Sequence, residues 1–453
     1  ATFILFPAIA MLLGWGLRGY IGGGPYGAMI PGCFVALSIC LLLGYKVETA
    51  AMAAVFGAMG IGLGGEMTYG QTLGFLRDPE TLSWGVLGCT VKGGTWGLLG
   101  GTLLGLGLNR DTYSRKTIIL GLLIMVEAFV LGREFINEPK LIYFSNLADR
   151  PRDESWAGLL VSALALLAFL RYKGSAGEFR VPLRFAIFGC AGGAIGFGVG
   201  CLFLAYGPSI QWIGWWKMME FFFGLAFGAA LGLCAYTLRD TLVISGQEGE
   251  VPPRTWSPVF GLVAVIVSVF ATYLLLDTVV SEEFMKSEAM TPWLIRKTVG
   301  VFLSFSFVAA IVIICGLFSQ HAAWQAAIAL TFFHTVFDYT QDLDNISNFG
   351  FVLSTPVQWL INIGATVLIG FCAFRLQKGA RPVSRLLLLV VWFCFATACA
   401  RSFIDLQFFD SADGQSYLSA LITAHPSIIF VQGTFIVSAI ITTRYALRLA
   451  KTA

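Results

Sequence analysis

The chain alternates long apolar runs with short polar joints. The runs are continuous rather than alternating every second residue. Most are long enough for a helix to cross a hydrocarbon core of about 30 Å. A lipid-exposed backbone must satisfy its own hydrogen bonds, so continuous runs predict helices rather than barrel strands. About fourteen spans are expected, with cores at Phe3–Leu17, Ala28–Leu43, Ala50–Gly65, Trp84–Leu108, Ile118–Gly132, Ala157–Leu170, Phe185–Ala205 and Trp212–Tyr236. They continue at Val259–Leu276, Val299–Leu317, Ala322–Phe337, Val357–Phe374, Leu386–Ala400 and Ile428–Tyr445. The predicted fold class is therefore all-α, a polytopic integral membrane helix bundle.

An internal similarity divides the first half. Ala36, Leu37, Tyr45 and Lys46 recur as Ala163, Leu164, Tyr172 and Lys173, and Gly97, Gly101 and Gly105 recur as Gly224, Gly228 and Gly232. This pattern predicts a tandem parallel repeat of two four-helix units, residues 1–116 and 117–240. A cytoplasmic linker is expected at 241–255, where Gly, Glu and Pro cluster, and a six-helix region at 256–453.

Composition agrees with the span pattern. Hydrophobic residues make up 57% of the 453 residues and charged residues 12%, too few charges for a soluble domain of this size. The net charge of +3 conceals an asymmetry. Alternate joints and the C-terminal tail collect Lys46, Arg110, Arg115, Lys116, Arg171, Lys173, Arg180, Arg184, Arg239, Arg254, Arg375, Lys378, Arg381, Arg385, Arg444, Arg448 and Lys451. By the positive-inside rule that face is cytoplasmic, and an even number of spans puts both termini there. The expected location is a bacterial cytoplasmic (inner) membrane. The ten cysteines lie in apolar runs without CxxC spacing, which argues against a metal knuckle or a disulfide framework.

Charges inside spans carry the candidate chemistry, because each costs about 2.5–3.5 kcal/mol even on a lenient insertion scale. Arg18, Glu66, Lys92, Glu127, Arg133, Glu134, Lys217 and Glu220 are the candidate substrate-binding residues. Glu127 lies mid-span and is expected to face the bundle interior as a coupling carboxylate. Mutual pairing is expected, for instance Glu66 with Lys92 and Glu220 with Lys217 or Arg18. Most of these residues belong to the non-cytoplasmic halves of their helices. The Gly19–Gly27 turn lacks the Walker lysine of a phosphate loop and is expected to present Tyr20 and Tyr26 outside. Asp338, Asp342 and Asp344 are candidate oxygen ligands for a hard cation. His334, one helical turn before Asp338, forms a candidate acid–base pair with it.

Three functions fit these residues. The first is a secondary transporter for a polar or charged organic solute, with an outward-facing charged vestibule. The second is a membrane-embedded transferase or hydrolase using His334 and Asp338 at the outer leaflet on a lipid-linked or envelope saccharide. The third is a structural subunit that docks a protein at its outer face. Span number, repeat and buried charge favour the transporter. The expected partners are the lipid bilayer and a small polar solute or saccharide. No cofactor or nucleic acid is expected, and no whole-chain resemblance to a known family emerges.

Overall fold

Three kinds of helix ending shape the bundle. Glycine closes α2 (Gly24–Leu43): Gly44 adopts φ 68°, and the Tyr45 amide donates back to the Cys40 carbonyl at 3.0 Å. Only glycine enters that left-handed conformation without strain. Serine opens α5 (Arg115–Gly132), where the Ser114 hydroxyl accepts from the Thr117 amide. A capping box of Ser175 and Glu178 opens α7 (Ala176–Gly200), satisfying two amides that the first helical turn leaves unpaired.

The structure is a computed structural model and describes residues 1–67, 69–109, 112–145, 154–248, 305–333, 335–336, 355–405 and 426–452, with isolated positions between 256 and 266 and at 419 and 423. It is all-helical, with no strand among the described residues. The remaining long helices are α1 (Thr2–Ile21), α3 (Val47–Leu63), α4 (Leu82–Leu108), α6 (Trp156–Lys173) and α8 (Trp215–Thr237). After them come α9 (Phe305–Phe318), α10 (Thr355–Leu376), α11 (Pro382–Asp405) and α12 (Ile428–Thr452). Nine helices among the described residues are long and apolar enough to cross a membrane: α1–α3, α6–α8 and α10–α12. In α4, glycine dilutes a 27-residue apolar helix, and α5 carries Arg115, Lys116 and Glu127. Most of the expected span Val259–Leu276 lies outside the described residues.

Six helices close a ring. Round it, α1 packs on α2, α2 on α3, α3 on α4, α4 on α7, α7 on α8, and α8 back on α1. The glycine ladders make the tightest seams. Gly93 and Gly97 of α4 face Gly193 and Gly189 of α7 reciprocally, each lying where a Cβ on its partner would strike backbone. Gly224 and Gly228 of α8 lie equally close to the Met11 and Pro7 carbonyls of α1. In lipid there is no hydrophobic drive between helices, so close van der Waals approach must hold the ring together. The two glycine series read as counterparts in the sequence thus each serve a ring seam, one against α7 and the other against α1.

The ring is filled rather than hollow. Trp15, Trp96, Phe223 and Phe227 are buried at its centre, with the Trp15 ring 4.3 Å from Phe223 and 4.9 Å from Trp96. Outside the ring, α5 and α6 form a pair, α9 packs on α3 and α5, and α11 and α12 cover α1 and α2.

Several basic joints meet at one end of the bundle. The Tyr45 hydroxyl donates to the carbonyls of Leu108 and Leu242 at 3.1 and 3.0 Å, joining the α2–α3 joint to the ends of α4 and the segment after α8. Tyr113, between α4 and α5, donates to Leu170 at the end of α6. Burial and the nearby Glu178 carboxylate push its phenol up to about 12, so it remains a neutral donor at physiological pH.

Candidate functional site

At the opposite end of the ring, α1 finishes, α3 gives way to a loop, and α8 begins. The sequence places Arg18 in the last turn of α1, Tyr69 in the loop and Trp216, Lys217 and Glu220 in the first two turns of α8. The fold gathers all five. The Glu220 carboxylate is 1% exposed. Its Oε2 accepts from Lys217 Nζ at 2.7 Å, and its Oε1 from Trp216 Nε1 at 3.1 Å and the Tyr69 hydroxyl at 3.4 Å. Gly19 makes this possible, because a Cβ at that position would overlap the Glu220 carboxylate.

Arg18 is 4% exposed, and one guanidinium nitrogen donates to the Tyr69 hydroxyl at 2.5 Å. Its charge lies over the rings of Tyr69 and Trp96 at 5.3 and 5.4 Å. It makes no salt bridge with a carboxylate among the described residues, and its Nε has no hydrogen-bond partner. A buried and a part-buried cation thus stand beside one carboxylate, which pairs with Lys217 and reaches Arg18 only through the Tyr69 hydroxyl. Trp15, Tyr69, Trp96, Phe197, Met219, Glu220 and Phe223 enclose a cavity of about 10 Å³, room for about one water molecule.

Tyr20 continues the cluster outward. Its hydroxyl pairs with Ser402 at 2.8 Å, Gln432 donates to the same Ser402 oxygen at 2.7 Å, and Lys217 and Arg401 lie over its ring. The expectation of an outward-presented Tyr20 and Tyr26 is corrected here. Tyr26 is buried against Phe305, and Tyr20 is half-buried, because α9, α11 and α12 cover this end of α1 and α2.

The other sequence candidates separate. Lys92 is not paired with Glu66. It donates to Glu154 at 2.7 Å and Thr72 at 2.8 Å, and both ion-pair side chains are 1% exposed. Glu154 also accepts from the Ser145 hydroxyl and the Phe144 amide, so this buried pair pins residues 144–145 and the Gly70–Gly74 turn to α4. Glu154 was not singled out from the sequence because it lies in a polar joint, where a carboxylate carries no signal.

Glu66 instead accepts from the Ser306 amide at 3.1 Å and hydroxyl at 3.4 Å, capping the start of α9. A carboxylate there is favoured by the positive end of the helix dipole. Glu66→Ala is expected to loosen α9 and lower stability by about 0.5–2 kcal/mol, the usual cost of a lost cap. Thermal unfolding in detergent measures it, with Glu66→Gln, which keeps an acceptor oxygen, losing less.

Arg133 pairs with Glu138 at 2.9 Å on a part-exposed π-helical turn, where Glu134 is half-buried, and Asn137 caps α6 through the Ala157 and Gly158 amides. Glu127 does not face the ring. The buried face of α5 is Gly121, Leu122, Met125, Val126 and Phe129, which leaves Glu127 exposed in a stripe with Leu120, Leu123, Leu131 and Phe135. Its expected interior position is thereby corrected: α5 stands outside the ring, and its small and apolar residues take the packed face.

His334, Asp338, Asp342 and Asp344 lie outside the described residues. Among the described residues no three His, Cys, Asp or Glu side chains converge as a metal site. Comparison of the chain with known protein families, curated proteins and solved structures finds no significant match.

Proposed function

We propose that this integral membrane protein is a secondary transporter for a polar or charged organic solute, with its site between α1, the Tyr69 loop and α8. The observation that carries the reading is the Arg18–Tyr69–Glu220–Lys217 cluster, with Arg18 and Glu220 buried, inside one end of a ring of helices. Placing two cations and a carboxylate there costs free energy that packing alone does not require. Alternating access would open the ring where Trp15, Trp96 and Phe223 fill it and the cavity admits about one water. Fourteen spans, a parallel repeat of residues 1–116 and 117–240, and cytoplasmic termini belong to the same proposal. Grouping of the basic joints at the end remote from the cluster supports that orientation.

Uptake into proteoliposomes by the full chain tests the reading, using panels of organic acids, amines, amino acids and sugars. At least one class is expected to accumulate above protein-free vesicles, with flux reduced by Glu220→Ala in protein that remains monodisperse. Absence of flux for every class, in both orientations of a solute gradient, overturns the transporter.

A further inference from the structure

Charge balance within the cluster points to the class of ligand, and this inference rests on the transport reading above. Arg18 and Lys217 contribute two positive charges and Glu220 one negative charge. The surplus positive charge is on Arg18, whose only polar partner among the described residues is the phenol of Tyr69 and whose buried Nε is unpaired. A guanidinium presents a fork of donors that matches a carboxylate or phosphate oxygen pair, and here most of that fork is unused. Meanwhile Glu220 collects three donors from Lys217, Trp216 and Tyr69, as a bound carboxylate ligand would.

We propose that this cluster binds an anionic group, a carboxylate or phosphate oxyanion, and that Glu220 is the internal anion it replaces. In the empty site Glu220 holds Lys217 at 2.7 Å. When a proton adds to Glu220, the carboxyl becomes neutral and releases the Lys217 ammonium and the Trp216 indole N–H. An incoming monoanion takes these donors together with the unpaired Nε edge of Arg18. Before the exchange the three groups sum to one positive charge. Afterwards two cations, one neutral acid and one bound anion sum to the same charge. One proton therefore accompanies one monoanion with no change in buried charge, which is the electrostatic basis of coupling.

Space permits the exchange only as a replacement. The cavity beside Glu220 holds about one water, so the anion needs the volume that the Glu220 carboxylate vacates. Trp216 is 42% exposed at the edge of the cluster and is the side chain with room to swing. The charged and titratable groups around Glu220 are Arg18 and Tyr20 from α1, Tyr69 from the loop, Lys217 from its own helix, and Arg401 of α11 behind Tyr20. Of these, Glu220 is the group whose protonation removes a negative charge from the donors. Lower pH must therefore strengthen anion binding.

The test uses the full chain in phosphatidylcholine nanodiscs, with acetate and methanesulfonate as monoanionic probes at fixed ionic strength. Tryptophan fluorescence reports binding, since Trp96 and Trp216 belong to the cluster. Wild-type protein is expected to bind both probes at least about tenfold more tightly near pH 5.5 than near pH 7.5, by proton linkage. Glu220→Gln is expected to bind them equally at both values. Arg18→Gln is expected to lose about tenfold or more at each, the scale of one charged hydrogen bond. Lys217→Gln serves as the second variant should Arg18→Gln fail to fold.

Wild-type affinity surviving in Arg18→Gln or Lys217→Gln overturns the proposal. So does a pH dependence that persists in Glu220→Gln, or no saturable binding in wild type. Adding phosphatidylglycerol distinguishes the source of the oxyanion: competition with acetate identifies a lipid headgroup, and no competition a free solute. Arg18-dependent binding without flux removes the transport reading alone. Flux that is indifferent to Arg18 and Lys217 removes the anion site alone.

Discussion

Lys92→Met lowers the stability of the folded chain by about 3–5 kcal/mol, the usual result of leaving one partner of a buried ion pair uncompensated. Glu154 would keep the Phe144 amide and Ser145 hydroxyl but lose its cation in a site that is 1% exposed. The segment at 144–145 and the Gly70–Gly74 turn would lose their common anchor on α4. Thermal or denaturant unfolding in a fixed detergent measures the loss. Lys92→Met combined with Glu154→Leu is expected to recover much of it, since removing both charges also removes their desolvation. Equal losses in the single and double variants would show that packing of the Lys92 stem, rather than charge pairing, carries the effect. Because this pair is saturated with internal partners, it is a structural element, in contrast to Arg18.

Gly97→Ala is the second large effect, expected at about 1–3 kcal/mol, the range for overpacking a close-packed contact. Its added methyl would meet the Gly189 carbonyl, a rigid backbone atom, so α4 and α7 must move apart along their whole seam. Gly70→Ala is the control, since nothing lies within 4 Å of a Cβ there. The comparison is the shift in melting temperature of the two variants, with similar shifts counting against the seam. Gly189→Ala in place of Gly97→Ala should behave alike, because the two residues contact each other's carbonyls.

The helices of the first half were legible because a membrane-spanning run announces itself by length and apolarity. α1, α2, α3, α4, α5, α6, α7 and α8 each coincide with an expected span core. The pairing of Glu220 with Lys217 was legible too, being three residues apart on one helix. Other partners were not readable. Tyr69 is 51 residues from Arg18 and 151 from Glu220, and without the fold it resembles any interfacial tyrosine. Glu127 misled for a related reason: the expense of a mid-span carboxylate says that it needs an explanation, but not on which side of its helix the packing falls.

What the sequence determines by itself is the all-helical, membrane-spanning class, the approximate positions of most of the described helices, and the separation of basic joints from most intramembrane charges. These follow from local energetics: each apolar run must satisfy its own backbone in lipid, and each cap or left-handed glycine acts within a few residues. Tertiary structure alone decided the ring order and the plug of Trp15, Trp96 and Phe223. It also chose Glu154 for Lys92, gave Glu66 to the start of α9 and, among the described residues, left Arg18 without a carboxylate. The physical reason is that low-dielectric burial requires charges to be compensated, and that requirement is indifferent to which residue does it. Only the glycine-set distances between helices decide which groups come within reach.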